Sequence, residues 1–418
     1  MHHTSSLFSP LVLPNGITLA NRLVKAAMEE NLSNENLEPD IALFQLYESW
    51  SKGGVGTIIT GNVMVDHRAM TGPGGVVLEL GTNLEGFKTW SSKAKAAGGK
   101  IIMQINHPGR QILAKLGGNV WAPSEVSVDL GNLSKLLGKP KAMTESEILE
   151  TIERFANTSK LAEDSGFDGV QIHAAHGYLI SQFLSPLVNQ RTDRWGGSLE
   201  NRSRFLIEVI QSVRKNVNPN FIVAVKINSS DFQKGGFQLE DAIEVIKKIQ
   251  TLGVDFIEIS GGNYEAPAMQ GISRDGSTLA REAYFLDFAR QITNKATVPI
   301  MVTGGISRKQ IAESVLESGI SLVGIATALA LNPNLPLEWK ENRESIVRLP
   351  IPKWKSKTLV GLATMVMVRY QLQRLSQGKK PSLKLIPWFR LLMDQIRLFR
   401  LTKRYRAWMA NLDTSTLH

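Results

Sequence analysis

The sequence predicts a parallel (β/α)8 barrel, the TIM-barrel class of α/β fold, followed by a basic, helical C-terminal extension. Two observations support this prediction. Short apolar strands alternate eight times with helix-length amphipathic segments, and polar residues typical of a binding site directly follow several of the strands. In such a barrel the functional groups lie at the carboxyl ends of the strands.

The predicted strands are short apolar runs that begin and end near Gly, Pro, Asn or Asp. They are Arg22 to Ala27, Thr57 to Thr60, Lys100 to Ile105, the Val170 strand that opens at Gly169, Phe221 to Ile227, Val254 to Ser260, Pro299 to Thr303 and Leu322 to Ile325.

The predicted helices show apolar residues at the helical period between these strands. They lie near Asp40 to Lys52, Leu84 to Ala97, Thr144 to Ser165, Leu199 to Asn216, Leu239 to Leu252, Glu282 to Lys295 and Arg308 to Ser318, with a final short helical region after the eighth strand.

Composition is that of an ordinary globular protein, with 43% hydrophobic and 21% charged residues among 418. The absence of cysteine excludes disulfides, the usual ligation of an iron–sulfur cluster and a thiol nucleophile. The first residues show no long apolar segment behind a basic head, so we expect no signal peptide and a cytoplasmic location.

The net positive charge of the chain comes from its C-terminal end. Residues 350–418 contain 14 Lys and Arg against 2 Asp and Glu, a net +12, which leaves residues 1–349 at −2. We therefore predict two domains, the barrel at 1–349 and a basic amphipathic extension at 350–418. The apolar run from Thr358 to Val368 is too short to span a bilayer, which takes ~20 residues.

The segment from Leu385 to Met409 alternates aromatic and aliphatic residues with Arg and Lys. This pattern is typical of a basic amphipathic helix, and two interpretations are open. The helix contacts an anionic membrane surface, or it packs against the barrel or a second subunit in a homo-oligomer. Nucleic-acid binding is not expected, because no recognition motif accompanies the charge.

The fourth strand leads into the densest group of reactive side chains, His173, His176 and Tyr178. Two imidazole N–H groups directed at one oxygen stabilise negative charge on it, and a phenol with a pKa of ~10 can give its proton to a carbanion or enolate. This set suits the reduction of an activated C=C bond. A metal site is not expected, since the chain has neither cysteine nor an HExxH helix.

The run HAAHGYLISQFLSPLVNQRTDRWGGSLENR resembles the signature of the old yellow enzyme family of FMN-dependent ene-reductases, and the resemblance extends from about Leu7 to Leu337. It implies FMN as cofactor, NADPH or NADH as reductant, and an enone or enal as substrate. Hydride passes by way of flavin N5 to the β-carbon, while His173 and His176 hold the carbonyl oxygen and Tyr178 protonates the α-carbon.

The resemblance also implies residues that contact the flavin ring, all near the ends of the first, second, third and fifth strands. Lys226 stands where many relatives carry Arg near N1 and the C2 carbonyl, so the positive charge is kept and the planar guanidinium is lost. The full set is Ala26, Ala27, Met28, Glu29, Gly61, Gln104 and Lys226.

The seventh and eighth strands are expected to hold the phosphate. Gly304 and Gly305 present backbone N–H groups, with Ser307 as a cap of the next helix. Relatives often follow the eighth strand with Gly-Arg, whereas this chain has Ala326 and Thr327. One ion pair to the phosphate is thereby lost, and the amides and the Thr hydroxyl remain.

Several alternatives stay open at this stage. Glu29 replaces the Thr or Cys of many relatives, and either adjusts the flavin potential or turns toward solvent. Instead of an ene-reductase, the barrel can be a flavin-independent Schiff-base lyase with Lys226 as the nucleophile. A third alternative is a weakly active FMN-binding protein that its tail docks to a membrane or a partner.

Overall fold

The computed structural model describes residues 6–270, 283–343, 349–350, 352–355 and 357–415, and its centre is a closed barrel of eight parallel strands. Each strand pairs in parallel with its neighbour in the chain, and β8 pairs with β1 to close the barrel. The predicted (β/α)8 architecture is confirmed. The strands are β1 Leu23–Lys25, β2 Thr57–Ile59, β3 Lys100–Asn106, β4 Gly169–Ala174, β5 Ile222–Asn228, β6 Phe256–Ser260, β7 Ile300–Thr303 and β8 Leu322–Ile325.

Helices surround the barrel, and their first residues follow the expected capping chemistry. Asp40 caps α1, and Thr144 and Glu147 form a capping box on α3. The helices are α1 Ile41–Lys52, α2 Glu85–Ala94, α3 Glu145–Asp164, α4 Leu179–Leu184, α5 Leu199–Asn216, α6 Leu239–Ile249, α7 Leu286–Thr293, α8 Lys309–Glu317, α9 Thr327–Leu331, α10 Leu335–Lys340, α11 Lys357–Leu375 and α12 Pro387–Ser415. Most predicted segments are confirmed, while α7 is shorter than expected. Its predicted first residue, Glu282, lies within residues 271–282, outside the described part.

Among the described residues, three pairs of very short strands lie outside the barrel order. Leu11–Val12 and Thr18–Leu19 form an antiparallel hairpin. Val63–Met64 pairs with Val76–Val77 and with the end of β3, and Trp121–Ala122 pairs with Lys141–Ala142. The hairpin packs Leu13 and Leu19 against the interior residues of the barrel, so it closes the end opposite the site.

The interior of the barrel has an apolar layer below a polar one. Because side chains alternate between the two faces of a strand, residues two apart on one strand both point inward. An apolar residue is followed two positions later by a polar one on four strands: Ile102 and Gln104, Ala224 and Lys226, Phe256 and Glu258, Met301 and Thr303. The polar layer lies toward the carboxyl ends of the strands, beneath the predicted site.

The C-terminal helices pack on the rim of the barrel. Arg397, Arg404 and Tyr405 of α12 donate to the backbone carbonyls of Asn31, Ser33 and His67, with distances of 2.9 Å for Arg404 and 2.8 Å for Tyr405. These carbonyls lie in the segments that follow β1 and β2. Among the described helices, none is long and apolar enough to cross a membrane.

Candidate active site

The chain turns sharply where β4 ends. His176 has φ +63° and Gly177 has φ +73°, and these two left-handed residues redirect the chain from the strand into α4. The backbone N–H of His176 donates to Asn228 Oδ1 at 3.1 Å, which holds this turn against the end of β5. As a result His173, His176 and Tyr178 line one cleft.

The two imidazoles form part of a continuous hydrogen-bond chain. His173 Nδ1 is 3.1 Å from Asn62 Oδ1, His173 Nε2 is 3.2 Å from His176 Nδ1, and His176 Nε2 is 2.7 Å from Ser260 Oγ. With Asn62 Oδ1 as acceptor, His173 carries its proton on Nδ1, His176 donates from Nδ1, and the Ser260 hydroxyl donates to His176 Nε2. All four ring nitrogens therefore have protein partners.

Both imidazoles are neutral at physiological pH. Burial lowers the pKa of His173 and of His176 well below the usual 6.5, and the positive charge of Lys226 lowers both further. Neutral imidazoles polarise a carbonyl through hydrogen bonds but are poor acids. Neither ring is therefore suited to give up a proton as an acid.

Tyr178 places a phenol in the same cleft. Burial raises the pKa of its phenol well above 10, and the neighbouring Tyr264 and the charge of Glu29 raise it further. Its hydroxyl lies 3.3 Å from that of Tyr264, whose pKa burial raises to about 12. Tyr178 therefore keeps its proton at neutral pH until a strong base, such as a carbanion, accepts it.

The remaining walls of the cleft offer donors that suit a flavin. Gln104 and Lys226 are almost fully buried at the ends of β3 and β5, and they face the same space as Ala27 and Met28. An amide and an ammonium group match the carbonyl and N–H groups along the pyrimidine edge of an isoalloxazine. The donor set thus fits FMN. The cleft has a volume of about 160 Å³ and is lined by Ala27, Met28, Glu29, Asn62, Gln104, His173, His176, Tyr178 and Lys226.

A buried carboxylate organises the floor of this cleft. Glu258 accepts from Lys226 Nζ at 2.8 Å, from Thr303 Oγ1 at 2.7 Å and from Gln171 Nε2 at 2.8 Å. Gln171 in turn accepts from Gln104 Nε2 at 2.7 Å. Two of the predicted flavin contacts, Gln104 and Lys226, therefore belong to one hydrogen-bonded network centred on Glu258.

Sequence reasoning did not assign roles to Asn62, Gln171 or Glu258. A signal for Glu258 was present, because a carboxylate within the apolar run Phe256–Ser260 requires a buried partner. Asn62 directly follows the second strand end, which is also where barrel sites lie.

Two predicted residues near the first and second strands lie beside the cleft rather than on its wall. Ala26 is buried, with its N–H bonded to Ile325 O at 2.9 Å. A Cβ on Gly61 would lie 2.0 Å from Glu30 Oε2 and 2.3 Å from Met28 O. The close approach that requires glycine at position 61 is therefore made by protein atoms of the adjacent segment.

Glu29 lies on the cleft wall. Its Oε1 accepts a hydrogen bond from Thr71 Oγ1 at 2.6 Å, and its charge contributes to the raised pKa of Tyr178 and of Tyr264. The carboxylate is thus close enough to influence the two phenols.

The ends of β7 and β8 present backbone rather than charged side chains. Gly304 has φ +139° and Gly305 has φ +69°, with the Tyr284 side chain packed against both. Ala326 precedes α9, and Thr327 is its exposed first residue. The N-cap position of α8 is held by Arg308, one residue after Ser307, and the capping role of Ser307 stays a prediction.

A sequence profile of the NADH:flavin oxidoreductase / NADH oxidase family matches residues 6–345. The chain belongs to the old yellow enzyme family. The NADH-dependent flavin oxidoreductase iliE of Hypocrea jecorina is 38% identical to it over 357 residues, covering 80% of this chain and 89% of the relative. The NADPH dehydrogenase of Halalkalibacterium halodurans is 34% identical, covering 79% and 93%.

Solved structures of other proteins share the fold of this chain. The old yellow enzyme homologue from Zymomonas mobilis superposes with a TM-score of 0.71 at 22% identity, covering 85% of this chain and 98% of that chain. A 2-naphthoyl-CoA reductase in complex with 2-naphthoyl-CoA superposes with a TM-score of 0.73 at 27% identity, covering 81% of this chain and 52% of that chain.

Family membership establishes the coarse chemistry. The chain is a flavin oxidoreductase that uses FMN and NADH or NADPH. A flavin-independent Schiff-base lyase does not agree with this membership. In addition, the Nζ of Lys226, the nucleophile of that alternative, is held in an ion pair with Glu258.

Proposed function

We propose that this chain is an ene-reductase, which reduces the C=C bond of an enone or enal with NADH or NADPH. The observation that carries this proposal is the placement of a protonated phenol, Tyr178, in the same cleft as two neutral imidazoles, His173 and His176. The two kinds of group serve the two ends of a conjugated carbonyl compound, the oxygen and the α-carbon.

Bound FMN would carry hydride from the nicotinamide to the β-carbon. Gln104 and Lys226 are proposed to bind the pyrimidine edge of its ring, beside Ala26, Ala27, Met28, Glu29 and Gly61. Gly304, Gly305, Ala326 and Thr327 are proposed to hold its phosphate through backbone N–H groups and one hydroxyl.

The imidazoles are proposed to bind the substrate oxygen by separating from each other. An oxygen that enters between His173 Nε2 and His176 Nδ1 replaces their mutual hydrogen bond of 3.2 Å. His176 already donates from Nδ1. His173 donates from Nε2 once the Asn62 amide turns over and gives its NH₂ to His173 Nδ1. Both N–H groups then stabilise the charge that develops on the oxygen.

Tyr178 is proposed to give its proton to the α-carbon as the β-carbon receives hydride. The substrate gains one hydride and one proton, the nicotinamide is oxidised, and Tyr178 is left as a phenolate. The hydroxyl of Tyr264 is 3.3 Å away, on a residue that is more exposed than Tyr178, and it provides a route by which the proton is replaced.

The alternative of a weakly active FMN-binding protein rests on Glu29 and on Thr327. Where relatives place an Arg on the phosphate, the exposed Thr327 contributes only a hydroxyl, so FMN is held by fewer charge-assisted bonds. If the protein is purified without flavin but reduces enones once FMN is added, it binds FMN weakly and has kept its ene-reductase activity.

The test is a visible absorption spectrum of the purified protein under argon, followed by NADH or NADPH and then by 2-cyclohexenone. We expect a flavin spectrum that bleaches with the nicotinamide and returns with the enone. Bleaching that only dioxygen reverses would overturn the ene-reductase proposal and leave an NAD(P)H oxidase. A protein that takes up no FMN would overturn the assigned cofactor residues.

A further inference from the structure

The first half of α12 exposes an apolar face to solvent. Six large side chains on this face are between 40% and 70% exposed: Trp388, Phe389, Leu392, Met393, Ile396 and Phe399. The opposite side of the same helix is buried through Leu391, Thr402 and Tyr405. The exposed apolar face is therefore additional to the face by which α12 packs on the barrel.

A helix on the surface of a globular protein normally has one apolar stripe, which faces the core. A second contiguous patch of this kind marks a site that binds a protein or a membrane. Trp354 stacks on Trp388, with their ring centroids 4.2 Å apart, yet Trp388 is still 57% exposed and Leu392 and Phe399 are 58% and 70% exposed. A partner for this face therefore comes from outside the described residues.

Charge along the same side of α12 selects the kind of partner. Leu392, Ile396, Phe399, Lys403 and Arg406 follow one another at steps of four and three residues, so they share one face. The face is apolar at its start and basic at its end. The whole extension from residue 350 carries +12.

A symmetric dimer through this face would bring two such extensions together, and their like charges would repel each other. An anionic bilayer offers a partner for both kinds of residue on this face: acyl chains for the apolar residues and phosphates for the basic ones. We propose that the exposed apolar face of α12 binds the surface of an anionic lipid bilayer.

The attachment of α12 places the barrel mouth near that bilayer. Its buried side is fixed by Arg404 and Tyr405 to backbone carbonyls in the segments after β1 and β2. These segments lie at the carboxyl ends of the strands, where the cleft opens. The bound enzyme therefore rests with the rim of its mouth beside the lipid.

The experiment is co-sedimentation of the full-length, FMN-loaded protein with phosphatidylcholine vesicles, with and without phosphatidylglycerol. We expect binding to the anionic vesicles and little to the neutral ones. Binding should fall at a salt concentration of ~1 M, where the screening length is only ~3 Å. Equal binding to both kinds of vesicle, or to neither, would overturn the proposal.

Two variants separate the apolar and the basic contributions. The double substitution Leu392→Ser and Phe399→Ser should lower vesicle binding by at least about tenfold. Arg400→Glu with Lys403→Glu should lower it through charge while the apolar residues remain. The matched control is Leu80→Ser on the barrel, because Leu80 and Phe399 are both 70% exposed; this change should leave binding unaltered.

The oligomeric state distinguishes lipid from a second copy of the chain. We expect light scattering to give the same mass for the parent protein and for the Leu392→Ser, Phe399→Ser variant. A dimer that this variant dissociates, without vesicle binding by the parent, would overturn the proposal. Neither measurement uses turnover, so the outcome is independent of the proposed ene-reductase function.

Discussion

The two ends of the proposed cofactor groove are built from different groups, although they lie in one barrel. At the ends of β4, β5 and β6 the site consists of side chains that are buried and hydrogen-bonded to one another, such as His173, Lys226 and Glu258. At the ends of β7 and β8 it consists of glycine backbone and the exposed Thr327.

Because of this difference, the chemistry of the bound flavin and the affinity for FMN can be changed by separate mutations. Substitutions among the buried side chains should change the rate or the redox potential of the reaction. Substitutions at Ala326 or Thr327 should change how much FMN the protein holds, with little effect on the chemistry of the flavin that is bound.

The largest effect is expected for Tyr178→Phe. Loss of the phenolic proton should slow reoxidation of the reduced enzyme by an enone by ~10²–10⁴-fold, the usual range for one general acid. Reduction by NADH or NADPH should be unchanged, since it needs no proton from Tyr178. Stopped-flow absorbance measures the two half-reactions separately. If both half-reactions slow equally, Tyr178 maintains the structure of the cleft and is not the proton donor.

Next in size is the change His176→Gly. Glycine tolerates the φ of +63° at this position, so the substitution removes the imidazole without straining the backbone. We expect kcat/KM for an enone to fall by ~10²–10³-fold, as for the loss of one oxyanion donor. His176→Asn should recover part of the activity, because Asn also tolerates a left-handed conformation and carries an amide donor. If Asn recovers nothing, the ring is needed for another purpose.

A smaller effect is expected for Glu258→Gln, which leaves Lys226 without its paired negative charge. The more positive environment should favour the reduced, anionic flavin and raise its midpoint potential by ~30 mV, equivalent to ~1.4 kcal/mol for a two-electron couple. Titration against a reference dye measures this shift.

The matched control for this change is Glu265→Gln. It removes a carboxylate that is paired with Arg110 at 2.9 Å, whereas Glu258 is paired with Lys226 of the cleft wall. The control should leave the potential unaltered. A fall in potential for Glu258→Gln, or an equal rise in the control, would contradict the assigned role.

Thr327→Arg tests the other end of the groove. A guanidinium at this position should tighten FMN binding by about tenfold, or ~1.4 kcal/mol, the lower range for a charge-assisted hydrogen bond. Quenching of FMN fluorescence gives the dissociation constant. Thr251→Arg adds the same charge after α6, at the opposite end of the barrel, and should have no effect. The flavin potential should be the same in both variants.

The smallest effect expected is that of pH on enone reduction. An acid donates only below its pKa, and burial raises the pKa of Tyr178 well above 10. Burial lowers the pKa of His173 and of His176 well below 6.5. None of the three groups should titrate between about pH 7 and about pH 9, so the reoxidation rate should stay level there. An inflection in this range that disappears in Tyr178→Phe would contradict this assignment.

The barrel could be predicted because its signals are local. Strand ends are marked by turn residues, and helix starts by caps such as Asp40 and the Thr144 and Glu147 pair. The grouping of His173, His176 and Tyr178 was equally local, since one turn after β4 brings all three together.

The polar layer under the cleft was less predictable, because it depends on register between strands. Lys226 lies opposite Glu258 only because β5 and β6 pair in that register. The mutual hydrogen bond of the two imidazoles likewise depends on Ser260, on β6, and on Asn62, in the segment after β2. The way in which α12 packs on the rim had no signal in the sequence beyond its amphipathic pattern.

The attachment of α12 has a consequence for how this enzyme can diversify. Arg404 and Tyr405 bind main-chain carbonyls of Ser33 and His67, and almost any residue at those positions would supply the same acceptor. Side chains in the two loops can therefore be exchanged without releasing the helix. Evolution can reshape one edge of the mouth for a new substrate while the C-terminal extension stays in place.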